Sequence, residues 1–224
     1  MPMRALSRTL NLALHPMLAP TYAVLLTFNT GSFWALTPLP EQLRVLAYTL
    51  SATLLIPFAA FKLSMRLFPP EQVEPGPWRR QLGAMVFAFC LLAGYWGLGQ
   101  QAGPYHLALF MLTLAFPVLL VSRLREGLSS LHLTAMGALV GFVFVNGMLY
   151  GGHSLFWLST LVGFSGLLAS ARIHLLKDEP AAAYLGFAIG LAMVLLLMPA
   201  FLFLPEWLAF VGNLGKFAPP WPLA

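Results

Sequence analysis

Two short stretches of the chain bring together side chains able to move a proton and to grip an anion. The first is Ser129, Ser130, Leu131 and His132; the second runs from Arg172 through His174, Lys177, Asp178 and Glu179 to Pro180. A guanidinium presents planar, paired donors to the nonbridging oxygens of a phosphate, and an imidazole exchanges a proton near neutral pH. Together they suit a phosphate site. Arg123 and Arg125 lie just upstream of His132 and add positive charge. They also fit a plainer role, anchoring a helix end with an apolar stem and a solvated head. His15, His106 and His153 stand beside Pro16, Tyr105 and Gly152 and read as capping residues at helix ends. No metal-ligand spacing links these histidines, so no metal and no other cofactor is expected.

Composition dictates the elements that must carry these residues. The 224 residues are 59% hydrophobic and 8% charged, with a mean hydropathy of +0.82; a soluble domain carries about 25% charged residues. That balance excludes a soluble globular protein and a disordered chain, and the single cysteine, Cys90, excludes an intramolecular disulfide framework. The 12 Lys and Arg exceed the 7 Asp and Glu to give +5. Because the basic residues sit in short loops between apolar runs, they point to membrane topology or anionic headgroups rather than to nucleic acid.

A bilayer core is crossed by about 20 apolar helical residues, so uncharged runs can be counted. Pro20 to Leu36 and Val45 to Phe61 are the first two. Gln81 to Ser122 is too long for one crossing and divides at Gly99, Gln100, Gln101, Ala102, Gly103 and Pro104; Gly127 to Ala171 divides in the same way at Gly151, Gly152, His153 and Ser154. Pro180 to Pro205 brings the count to seven. The runs are apolar on every face and do not alternate, which excludes a membrane β-barrel. The expected fold is therefore an all-α, polytopic membrane helical bundle of about seven transmembrane helices in one domain covering 1–224. Residues 1–16, with Arg4 and Arg8 among leucines, form an interfacial segment, and 205–224 an interfacial tail with Trp207 and Trp221.

When loops are assigned alternately to two sides, ten of the twelve cations, Arg123, Arg125, Arg172 and Lys177 among them, fall on the side of the N-terminus. Only Arg44 and Lys216 fall on the other. The basic side is then cytoplasmic. The fifth and sixth runs form a hairpin whose open ends share that side, so His132 and Arg172 face each other. Gly137 with Gly141, Gly186 with Gly190, and Gly163 with Gly166 thin the last three helices for close approach. Asn146, with Gln100 or Gln101, supplies interhelical hydrogen bonds, and Pro57, Pro117 and Pro199 predict kinks.

The loop positions and letters resemble those of the type 2 phosphatidic acid phosphatase superfamily, whose three motifs are K-x(6)-R-P, P-S-G-H and S-R-x(5)-H-x(3)-D. S-S-L-H at 129–132 is similar to the second, keeping Ser130 and His132 without its Pro and Gly. S-A-R-I-H-L-L-K-D-E-P-A-A-A-Y-L-G-F-A-I-G at 170–190 is similar to the third, with Arg172, Gly186 and Gly190 in register. Where the family has its nucleophilic histidine this chain has Asp178, and where it has the orienting aspartate this chain has Ala182. The first motif is absent, although Arg123 and Arg125 lie where its arginine would be.

The resemblance implies a six-helix phosphatase-like core, residues His132, Arg172 and Asp178 at the catalytic positions, and Arg123, Arg125, Ser130, His174 and Lys177 around a phosphorylated lipid headgroup. It also implies weak or lost hydrolase activity in a multi-pass protein of a bacterial inner (cytoplasmic) membrane. The alternatives are an active lipid- or isoprenoid-phosphate phosphatase with a rearranged site using His174 or Asp178, and an accessory subunit bound to a membrane protein partner.

Overall fold

Pro, Gly and short polar clusters punctuate the apolar runs, and helices fill the intervals. The computed structural model describes residues 2–67, 77–99, 105–124, 128–175 and 177–214, and among these every regular element is helical. Helix α1 covers Pro2–Ala13, and a 3-10 turn at Pro16–Leu18 leads into α2, Ala19–Asn29. A second 3-10 turn, Phe33–Leu36, precedes α3, Leu39–Leu50. Helix α3 passes through a π-helical segment, Ser51–Leu55, into α4, Ile56–Leu67. Then follow α5 (Pro77–Gly99), α6 (Tyr105–Arg123), α7 (Leu131–Tyr150), α8 (Ser154–His174) and α9 (Pro180–Leu214). Gln100, Gln101, Arg125 and Lys216 lie outside the described residues. The expected tail from Pro205 is helical backbone as far as Leu214, and the rest of it also lies outside them.

Among the described residues, six helical stretches are long and apolar enough to cross a membrane: Leu39–Leu63, Gln81–Gly99, Tyr105–Arg123, Leu131–Tyr150, Ser154–His174 and Pro180–Phe203. A seventh arises if Arg4–Ala13 and Pro16–Asn29, bent by 41° at their junction, act as one. The run read as Pro20 to Leu36 stops being α-helical at Asn29, because Gly31 turns the chain with φ +70°. The π-helical segment ends at Leu55, one residue short of Pro57. Proline has no N–H for the ladder and its ring crowds the carbonyl four residues back, and the wider π turn relieves that conflict.

Helices α6 and α7 form the centre, each 72% buried over its most apolar stretch, against 22% for α8 and α9. Phe110 of α6 and Phe142 of α7 meet with ring centroids 4.6 Å apart, and Leu107, Leu114, Leu139, Leu168 and Met198 pack around them. The closest crossing is α7 on α9, and its glycines are reciprocal. A Cβ at Gly137 would overlap the carbonyl of Phe187, and one at Gly190 would overlap the carbonyl of Thr134. Only bare backbone permits that approach. Gly163 and Gly166 correct the sequence expectation, because both face open space and bring no helix close.

Candidate anion site

The α7–α9 crossing builds one wall of a buried polar cluster. Ser130 precedes α7 in an extended conformation, its N–H donates to the carbonyl of Ala182 at 3.1 Å, and its own carbonyl accepts from Thr134 N–H and Thr134 Oγ1 at 2.9 and 2.8 Å. Gly186 makes this possible, because a Cβ there would press on the Ser130 backbone, 2.9 Å from its nitrogen and 3.2 Å from its carbonyl carbon. A serine in this position usually caps its helix with its side chain. Here the hydroxyl makes no cap and donates to Asp178 Oδ2 instead.

The opposite wall is the end of α8. Leu175 N–H bonds the carbonyl of Ala171 and Lys177 N–H that of Arg172, both at 3.0 Å, and this closing turn folds the chain back over its own last helical turn. Asp178 thereby meets Arg172 in a bidentate pair: Nη2 donates to Oδ1 at 2.9 Å and Nε donates to Oδ2. The remaining guanidinium nitrogen, Nη1, donates to Asn11 Oδ1 of α1 at 2.7 Å. The pair is well buried, with side-chain exposures of 11% for Arg172 and 9% for Asp178. Burial alone would raise the carboxyl pKa of Asp178. The hydrogen bonds from Arg172 and Ser130 and the charge of Arg172 more than reverse this and hold it below the usual carboxylate range.

His132, two residues past Ser130, stands beside this pair without hydrogen bonding to it. Its ring meets His15 edge to face, centroids 5.2 Å apart at 84°, and its Nε2 is buried with no hydrogen-bond partner among the described residues. His15 Nδ1 accepts from Met17 N–H at 3.3 Å, so His15 does cap a helical turn, as its place beside Pro16 implies. The structure thus brings Ser130, His132, Arg172 and Asp178 to one end of the bundle. Among the described residues, the side chains of Arg123, His174 and Lys177 are exposed and form no hydrogen bond or ion pair with the cluster, and Arg125 lies outside the described residues. Among the described residues no group of His, Cys, Asp or Glu is arranged to hold a metal ion.

Asn11 and His15 complete the cluster and were missed in the sequence. A single amide among Leu10, Leu12 and Leu14 was the available signal. Its partner stands 161 residues away, a pairing that no local pattern encodes. Beside the cluster an apolar crevice of about 620 Å³ runs between α1, α2, α7 and α8, lined in part by Leu14, Leu26, Met136, Leu139, Trp157 and Phe164.

What this arrangement can do chemically follows from its bonding. All three guanidinium nitrogens of Arg172 are engaged, both Asp178 oxygens accept hydrogen bonds, and the pair sums to no net charge. A phosphate entering here would meet the carboxylate in the place its own oxygens require, and like charges would repel. A carboxylate held ionised by three donors is also a poor nucleophile and a poor base. Comparison of the chain with protein-family models, with curated proteins and with solved structures finds no match.

Proposed function

We propose that this chain is a multi-pass membrane protein built on a lipid-phosphate phosphatase plan, in which the phosphate cradle is closed by an internal ion pair and hydrolysis is lost. Six helices of sufficient length and apolarity support the membrane placement. The Asp178 carboxylate, bonded at once to Arg172 and Ser130, carries the reading, because it takes the donors that a phosphoryl group would need. His132 keeps a position suited to protonating a leaving alcohol, and Asp178 and Ser130, bonded to each other and to Arg172 or the α9 backbone, are not free to attack phosphorus. The protein then acts by binding, and the apolar crevice beside the ion pair suits a lipid hydrocarbon chain.

The test is phosphate release from phosphatidic acid and undecaprenyl pyrophosphate by purified protein, with His132→Ala as control. The expected result is no release above that control. Turnover by the unmodified protein that disappears in Asp178→Asn would instead make Asp178 a nucleophile and the chain an enzyme.

A further inference from the structure

The opposite end of α7 holds a second set of polar atoms that the ion pair does not explain. His106 is 1% exposed, and neither of its ring nitrogens has a hydrogen-bond partner among the described residues. Sequence position made it a helix-end cap beside Tyr105; the structure corrects this, placing it inside the bundle between aromatic rings. Trp34 and Tyr150 each lie 5.1 Å from the imidazole centroid, and Phe142 stacks at 6.0 Å. Phe142, Asn146 and Tyr150 recur every fourth residue and so share one face of α7. Since the rings of Phe142 and Tyr150 both reach His106, Asn146 lies between them on the face of α7 that meets His106. Asn146 is 2% exposed, and its Oδ1 also lacks a partner among the described residues, while the Gln100 and Gln101 expected to pair with it lie outside them.

We propose that His106 and Asn146 form a second polar site that binds ordered water beneath a lid made by Trp34 and Tyr150. A neutral imidazole offers one donor and one acceptor, and Asn146 Oδ1 adds an acceptor. The complementary guest is small, uncharged and able both to donate and to accept, which describes water. An anion would find no countercharge, and a desolvated cation would find too few oxygens. Buried polar groups in folded proteins are bridged in this way far more often than they are left bare. The lid is anchored: Trp34 and Tyr150 meet edge to face at 6.1 Å, and His153 N–H donates to Thr30 O at 2.7 Å, tying the α2–α3 connection to the α7–α8 turn. Glycine at 152 lets those two loops touch, because a Cβ there would overlap the Thr30 carbonyl.

Solid-state NMR of the full chain in lipid bilayers, with ¹⁵N-labelled histidine and magnetisation transferred from water, tests this. The chain has five histidines, so the His106 signals are assigned by their loss in His106→Phe. The expected result is transfer from water to the His106 ring nitrogens despite their burial, reduced severalfold in Asn146→Leu while the exposed His174 signal is unchanged. Two results would overturn the proposal. One is a His106 ring that receives nothing in the unmodified protein at mixing times that saturate His174, which would leave its N–H held only by the faces of Trp34 and Tyr150. The other is transfer that Asn146→Leu leaves intact, which would remove Asn146 from the site.

Discussion

At the residue scale, the Arg172–Asp178 pair behaves as one unit whose halves are costly apart. Removing one partner of a buried pair strands a desolvated charge at a cost of about 3–5 kcal/mol, whereas replacing both by apolar groups is often neutral. Asp178→Ala should therefore lower stability by about 3–5 kcal/mol, and Arg172→Leu with Asp178→Leu by about 1 kcal/mol or less, with Asn11 and Ser130 each losing a bond. Chemical unfolding in detergent measures both. The same pair sets an acid limit. Because the folded pKa of Asp178 is depressed below the 3.8 of a free carboxyl, its contribution is complete above that value and is lost as pH falls through the folded one. The unmodified protein should lose stability below about pH 4, and the double leucine variant should lack that part of the loss. Ser130, His132, Arg172 and Asp178 were legible in the sequence because a hairpin brings its open ends together. Asn11 and the buried state of His106 were not, since both depend on which distant helix lies alongside.

At the element scale, glycine spacing was legible but its consequence was not. Three pairs looked alike in the sequence, yet only those of α7 and α9 face each other, and the pair on α8 faces open space. The difference lies in which face of each helix meets a neighbour, and spacing alone does not encode this. Gly190→Ala should cost about 1–3 kcal/mol by forcing α7 from α9. Gly163→Ala, with no neighbour to displace, should be neutral or stabilising by up to about 1 kcal/mol. Thermal transitions of the two variants distinguish these outcomes. The π segment before Pro57 is a similar case: the proline announced an irregularity, and the backbone absorbed it as a wider turn rather than a break.

For the whole molecule, the N-terminal segment decides the number of crossings. Asn11 bonds Arg172 at the end of α8, while Thr30 accepts from His153 at its start. Residues 11–30 therefore run the full length of α8, whose 21 residues span about 30 Å. Along the N-terminal segment α1 packs on α8 and α2 on α7, and Arg4–Ala13 with Pro16–Asn29, bent by 41°, are together long and apolar enough to make a seventh span. This geometry predicts an odd number of crossings, so reporter fusions at the two termini should report opposite sides of the membrane, and reports from the same side would refute it. The proposed filling of the phosphate cradle by Asp178 is tested most directly by ligand-linked stability, since an anion that binds only the folded state raises its thermal transition. Inorganic phosphate should leave the transition of the unmodified protein unchanged, and should raise that of Asp178→Ala but not of Asp178→Ala with Arg172→Leu. A rise in the unmodified protein that Arg172→Leu abolishes would show the cradle open to phosphate and would contradict the account.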